Sequence, residues 1–240
     1  MRYKSVFISD IHLGTKMSQA AKLLDFLKSC ESDNLFLVGD IIDGWAMHKS
    51  FYWPQEHNDV IQKLMRKARK DTNVVYLTGN HDEFLRSFGE HQFGNITLVD
   101  TYIYDGIDGK KYIVMHGDQF DVVINKMKWL SHFGSWAYDM LIYINIAVVK
   151  TRNLLNLPHW SLSAWAKYKV KKAVNFIGSY EENLSQYANT KSVDGIICGH
   201  IHHPNIRMIG KIKYMNCGDI VESCTALVEH MSGEWEIVSL

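Results

Sequence analysis

A chain of 240 residues with 47% hydrophobic content can bury a core the size of one large domain, or of one domain with an insertion. Its 26 basic and 26 acidic residues cancel, which argues against a nucleic-acid binder held by a wide electropositive surface. Cys30, Cys198, Cys217 and Cys224 form no C-x-x-C pair, so a zinc knuckle and a disulfide framework are both disfavoured and a reducing cytoplasm is the simplest setting.

In chain order, Met1-Arg2-Tyr3-Lys4 leads directly into the apolar run Val6-Phe7-Ile8. That run is too short, and too soon interrupted by Ser9-Asp10, to be a signal peptide, so no export is expected. It reads as a strand that ends at the polar segment Asp10-Ile11-His12. Ala20, Leu23, Leu24 and Leu27 recur at three-and-four spacing and predict a helix. Leu35-Phe36-Leu37-Val38 predicts a second strand, followed by Gly39-Asp40-Ile41-Ile42-Asp43. Val60, Ile61, Leu64, Met65 and Ala68 predict the next helix, and Val74-Val75-Tyr76-Leu77 a third strand ending in Gly79-Asn80-His81-Asp82. This alternation is the β-α-β-α-β pattern of an α/β protein with parallel pairing.

Tyr112-Ile113-Val114-Met115 predicts a strand before His116-Gly117-Asp118, and Gly195-Ile196-Ile197-Cys198 another before Gly199-His200-Ile201-His202. Between them, residues from about 120 to 189 form a long, mostly helical stretch rich in Trp129, Phe133, Trp136, Trp160 and Trp165. Both of its flanks are polar loops, so it is expected to be a helical cap inserted into a single domain spanning 1–240; the alternative, which suits most of these apolar residues individually, is an ordinary helical layer completing the core. Residues 137–149 come nearest to a membrane span, but they fall short of the roughly 20 apolar residues required and carry Asp139 and Asn145. A buried or interfacial helix is expected there. Asn205 to Met215, Thr225 to Glu229 and Glu234 to Val238 predict antiparallel strands, with Ser232-Gly233 as a turn, forming a second sheet packed on the first.

In parallel sheets the loops at the carboxyl ends of the strands gather on one edge, so the five polar segments are expected to converge. They offer oxygen and nitrogen donors and no thiolate, which suits Mn, Fe or Zn. Asp10 and His12 can turn toward one ion, and Asp40 can bridge it to a second. Asn80, His116 and His200 could complete the second ion, while His202 returns to the first. Two such ions, about 3.5–4 Å apart, would activate a water against a phosphate ester. His81 is expected on the substrate side, stabilising the transition-state charge or protonating the leaving oxygen, with Asp82 orienting it. Asp43 and Asp118 are read as turn-capping or supporting residues. Gly39, Gly79, Gly117 and Gly199 suit sharp turns that bring backbone close to the ions. His48, His57, His91, His132, His159 and His230 lack ligand spacing and are read as surface or core residues. His203 should point away from His202, and Cys217 should be buried.

The ordered set Asp10-x-His12, Gly39-Asp40-x-x-Asp43, Gly79-Asn80-His81-Asp82, His116 and Gly199-His200-x-His202 resembles the calcineurin-like metallophosphoesterases over nearly the whole chain. The resemblance implies a four-layer α/β/β/α sandwich and two ions. Asp10, His12, Asp40 and His202 would surround the first, and Asp40, Asn80, His116 and His200 the second; His81 would be catalytic. Within the family, Gly39 to Trp45, His116-Gly117-Asp118 and the helical insertion look like the UDP-2,3-diacylglucosamine hydrolase group. Those enzymes cleave the pyrophosphate of a lipid A precursor to UMP and a lipid phosphate, usually with Mn. That likeness implies a lipid-linked sugar nucleotide as substrate, with Trp45 and Asp118 as candidate contacts; Lys167 and Lys171, four residues apart and so on one face of a helix, could meet a substrate phosphate. It also implies a cytoplasmic enzyme able to work at the inner membrane surface, where Lys150 and Arg152 could meet anionic headgroups. The well-known hydrolases of the group carry Arg where this chain has His81, which puts the chain on a divergent branch. Two other classes are a phosphodiesterase or phosphatase acting on a nucleotide or another phospholipid, and a non-catalytic interaction module. The complete ligand set argues against the module.

Overall fold

The computed structural model describes residues 1–89, 91–123, 177 and 180–240. Strands β1 (Arg2–Ile8), β2 (Glu31–Val38) and β3 (Asn73–Leu77) pair in parallel, joined by α1 (Ala20–Ser29), α2 (Gly44–Lys49) and α3 (Gln55–Arg69). Next come β4 (His91–Phe93), β5 (Ile96–Val99), β6 (Thr101–Asp105) and β7 (Lys111–Met115), then β8 (Gly195–Cys198), β9 (Asn205–Ile209), β10 (Ile212–Asn216), β11 (Thr225–Glu229) and β12 (Trp235–Ser239). They form a seven-stranded sheet in the order β12-β11-β1-β2-β3-β5-β4 and a five-stranded sheet in the order β6-β7-β8-β10-β9.

Side-chain alternation on the same strands builds two cores. Val6 and Ile8 of β1, Leu35 and Leu37 of β2 and Val74 of β3 face α1 and α3, meeting Leu23, Leu27, Val60 and Leu64. Their neighbours Phe7, Phe36, Val38, Val75 and Leu77 face the second sheet, meeting Tyr104, Tyr112, Val114, Ile197 and Met215. Phe7 and Phe36 stack there with centroids 4.5 Å apart. Fully buried side chains of this kind contribute about 1.5–3 kcal/mol each, so a polar residue at either parity would weaken one of the two cores. Residues 181–190 are helical and form the fourth layer. Leu184 and Ala188 are buried, and Glu181 pairs with Arg207 of β9, which lies in register with Tyr214 and hence on the outer face of the second sheet.

The α/β/β/α order agrees with expectation, while the assignment of strands to sheets differs in part. The C-terminal strands do not make up the second sheet by themselves: β11 and β12 extend the first sheet beside β1, and only β9 and β10 join β7 and β8. Strand β10 runs parallel to β8. Strands β4, β5 and β6 lie in a region where the sequence predicted none. Two compact units are distinguished, Met1–Asp118 with Glu181–Leu240, and Gln119–Tyr180; both sheets belong to the first. Residues 181–189, counted in the expected insertion, belong to that first unit. Lys167, Lys171 and the 137–149 stretch lie outside the described residues. Among the described residues no helix is long and apolar enough to cross a membrane.

Candidate metal centre

The carboxyl ends of β1, β2 and β3 in the first sheet and of β7 and β8 in the second open onto one place, and the five polar segments meet there. Asp10, His12 and His202 offer donor atoms all within 4.8 Å of one another, and so do Asp40, His116 and His200. Asp10, His12, Asp40 and His116 are buried; Asn80, His81, His200 and His202 are partly exposed and mark the open side. The backbone is distorted to bring them together: Asp10, His12, Asp40, His200 and His202 all have φ between 51° and 70°. Left-handed backbone costs an ordinary residue about 1–2 kcal/mol. Its concentration on these donors points to function.

Hydrogen bonds aim the donors. Asp10 Oδ2 accepts from the His200 N–H at 2.9 Å and Asp40 Oδ1 from the His81 N–H at 2.8 Å, which leaves Asp10 Oδ1 and Asp40 Oδ2 for the centre. His116 Nδ1 lies 2.9 Å from the Val38 carbonyl oxygen, so its Nε2 turns inward, 3.4 Å from Asp40 Oδ2. His12 Nδ1 pairs with Asp43 Oδ2 at 3.0 Å, leaving Nε2 3.9 Å from both Asp10 Oδ1 and Asp40 Oδ2. Gly79 must lack a side chain, because a Cβ there would collide with the Asp40 carboxylate and backbone N. Gly39, at φ +79°, meets the His116 ring in the same way.

The donor set fits a cation. Asn80 Oδ1 is buried with no hydrogen-bond partner, a costly state unless a positive ion completes it, while Asp10 Oδ1 and His116 Nε2 meet only fellow donors of the cluster, His202 Nε2 at 3.1 Å and Asp40 Oδ2 at 3.4 Å. Burial by itself would raise the Asp40 carboxyl, but His116, then His81 and His12, hold it well below the usual carboxylate range. Burial likewise opposes ionisation of Asp10, and His116 and His202 overcome it. Burial depresses His116 and His202, yet the Asp40 and Asp10 carboxylates raise both imidazoles. The two buried carboxylates and the His116 and His202 imidazoles thus hold one another in their charged forms against burial.

His81 lies beside this cluster, its Nε2 3.9 Å from Asp40 Oδ2. Its Nδ1 is 3.0 Å from Asp43 Oδ1, and the Trp45 ring packs against it at 4.3 Å between centroids. Burial lowers its pKa, but contact with Asp43 and the charge of Asp40 bring it above the ordinary value. The expectation that Asp82 orients His81 is corrected. Asp82 is fully buried and accepts from the Ile41 N–H, the Gly79 N–H and the Tyr76 hydroxyl, at 2.9, 2.6 and 2.6 Å. Asp82 therefore faces inward, and its bonds to the Ile41 and Gly79 amides lock the 39–41 and 79–82 loops together.

Asp43 is the orienting residue. Its carboxylate caps α2 through the Ala46 N–H at 2.7 Å and lies 3.0 Å from the Nδ1 atoms of both His12 and His81, the members of the third close His-Asp group. Asp118 accepts two hydrogen bonds from Arg86, at 3.0 and 2.9 Å. Asp219 was not singled out from the sequence. It stands 4.0 Å behind His202 Nδ1 and accepts from the Val221 and Glu222 amides. The signal was present: Gly218-Asp219 lies one residue beyond the end of β10, much as Gly39-Asp40 follows β2. Cys217 is buried, as expected.

Comparison with known proteins agrees with this geometry. Residues 3–204 match the family model described as calcineurin-like phosphoesterase. The UDP-2,3-diacylglucosamine hydrolase of Blochmanniella pennsylvanica is 23% identical over 211 residues, covering 87% of this chain and 82% of that protein. The protein of the same name from Wigglesworthia glossinidia brevipalpis is 24% identical over 225 residues, covering 88% and 84%. A solved structure of a hypothetical protein from Pyrococcus horikoshii OT3 shares the fold, with a TM-score of 0.52 at 12% identity, covering 100% of this chain and 88% of that one. Converging aspartates and histidines at the strand ends, and a family match over most of the length, lead to one conclusion: the chain belongs to the calcineurin-like phosphoesterases, metal-dependent phosphoester hydrolases with a dinuclear divalent-metal centre.

Proposed function

We propose that this chain hydrolyses the pyrophosphate linkage of UDP-2,3-diacylglucosamine, or of a close lipid-linked sugar nucleotide, giving UMP and a lipid phosphate. The reading is supported by two close donor groups, Asp10-His12-His202 and Asp40-His116-His200, together with relatives named for that activity over more than four-fifths of the chain. Asp10, His12, Asp40 and His202 would hold one divalent ion and Asp40, Asn80, His116 and His200 the other, with Mn as the leading metal and Fe or Zn as alternatives. When bound, two such ions polarise a phosphoryl oxygen and generate hydroxide at neutral pH.

The chain's own contribution is the placing of substrate and proton. His81, oriented by Asp43, whose contact together with the charge of Asp40 favours the protonated imidazole against burial, would present a proton from Nε2 to the leaving oxygen. Trp45 covers one side of that imidazole and offers a flat surface to the substrate. A cytoplasmic location beside the inner membrane surface would suit a diacylated substrate.

A second reading, a phosphodiesterase or phosphatase acting on a nucleotide or another phospholipid, is favoured by His81 standing where the well-known hydrolases carry Arg. A panel of diacylated UDP-glucosamine, nucleotide phosphodiesters and phospholipids, assayed with Mn-loaded protein, separates the two. Preference of at least about tenfold in kcat/KM for the sugar nucleotide supports the first reading; equal or better turnover of the simple diesters refutes it.

A further inference from the structure

A second concave site lies at the opposite edge of the first sheet. A cavity of about 490 Å³ opens where β1, β2 and β3 begin, a volume in the small-molecule range of about 300–1,000 Å³. Six cations line it: Arg2, Lys28, Lys63, Arg66, Lys67 and Lys70. Only three carboxylates, Glu31, Asp33 and Asp71, face them. In a chain whose 26 basic and 26 acidic residues cancel, this excess is local.

The cations are only partly neutralised from within. Asp33 is already engaged by Arg2 at 3.3 Å and Lys4 at 3.2 Å, and Lys28 pairs with Asp25 at 3.4 Å. Among the described residues, Lys63, Arg66, Lys67 and Lys70 enter no ion pair. Lys67 is the most telling, because it is only 9% exposed and its Nζ donates to a neutral partner, the Cys30 carbonyl, at 2.6 Å. A buried ammonium usually has a counter-charge. The four residues fall at i, i+3, i+4 and i+7 of α3 and its end, so they share one face over about 10 Å. Lys63 is held below the ordinary lysine pKa by burial first and then by Lys67, Arg66 and Lys70.

We propose that this cavity binds an anion carrying two or more phosphate groups, laid along the Lys63 to Lys70 face. The row is longer than a single phosphate, Arg66 supplies a planar fork suited to two phosphate oxygens, and the lysines supply point charges on either side. Six strand steps separate Arg2 from Ile8, about 20 Å, so the occupant is distinct from a substrate at the metal centre. The shared chemistry is the oligophosphate, which a soluble nucleotide or a lipid headgroup could supply.

The test compares the metal-loaded protein with the triple variant Lys63→Gln, Arg66→Gln, Lys70→Gln, which leaves buried Lys67 in place. Calorimetric titration with α,β-methylene ADP tests the soluble source, and co-sedimentation with phosphatidylcholine vesicles containing cardiolipin tests the lipid source. Wild type should bind one of the two at least about tenfold more tightly than the variant, with the difference shrinking in high salt. Hydrolysis of bis(p-nitrophenyl) phosphate should be unchanged in the variant, which also reports an intact fold. Loss in the first arm identifies a soluble oligophosphate, and loss in the second a lipid headgroup. Equal binding by both proteins, or no binding by wild type in either arm, overturns the proposal. Should the triple variant fail to fold, Arg66→Gln alone must weaken binding about threefold or more, and an unchanged affinity is again a refutation.

Discussion

Replacing Asp43 by Asn tests the organisation of the centre most sharply, because that carboxylate makes three contacts. It caps α2 at Ala46 and holds the Nδ1 atoms of His12 and His81, at 2.7, 3.0 and 3.0 Å. Asn caps a helix about as well as Asp, so the helix start should survive in Asp43→Asn, whereas Asp43→Ala should lose about 1 kcal/mol, or about 2–4 °C in Tm. The amide has one acceptor and no charge, so it can serve only one imidazole. Losing the support of a metal-facing or catalytic histidine typically costs about 10–100-fold in metal affinity or activity, and kcat near neutral pH should fall by that factor. His81 is raised by Asp43, so the protonated form it needs for catalysis is lost as pH rises through that raised value. Asp43→Asn should move this alkaline limb toward lower pH. In metal-free protein the linkage has two signs. The stability supplied by His81 is fully present below about pH 6.5 and disappears as pH rises through its raised folded pKa; that from Asp43 is present above about pH 3.9 and disappears as pH falls through its lowered one. Steady-state kinetics on bis(p-nitrophenyl) phosphate across the pH range, with metal content measured in parallel, decide the matter. An unchanged kcat and alkaline limb would remove Asp43 from its assigned role.

His81→Ala should lower kcat by about 10²–10⁴-fold with metal content intact, and loss of an ion by elemental analysis would instead make His81 a ligand. Asp40→Ala should empty both ion sites, and retention of one fully occupied ion would show that Asp40 does not bridge. Gly79→Ala forces a Cβ into the Asp40 carboxylate, so it should abolish Mn binding measured by calorimetry. Normal affinity there would mean that the 79–82 loop shifts freely.

The candidate ligands were legible because each follows a short apolar run and differs sharply in polarity from it, as at Val38-Gly39-Asp40 or Cys198-Gly199-His200. Strand pairing was less so. His91 to Phe93 are all exposed and carry no apolar alternation, whereas Ile96-Thr97-Leu98-Val99 and Thr101-Tyr102-Ile103-Tyr104 do carry the β-branched and aromatic signature and escape notice because no polar donor segment follows them. Whether β10 runs with or against β8 depends on the path of the chain, which side-chain alternation does not encode. The misassigned role of Asp82 has a similar origin. Sequence adjacency suggested that it serves His81, but the partner is Asp43, 38 positions earlier, because the fold turns Asp82 into the interior and brings the start of α2 alongside.

Each cluster of donors draws on both sheets. Asp10 and His12 come from the first and His202 from the second; Asp40 comes from the first and His116 and His200 from the second. Sliding one sheet over the other by a single residue, about 3.3 Å, would scatter both clusters at once. Ion loading therefore proofreads assembly, since only a correctly docked pair of sheets can be loaded. Each ion present at a hundredfold excess over its Kd would then favour that docked state by about 2.7 kcal/mol. In a metal-starved cell the shortage would thin the pool of intact chains as well as slow those that survive.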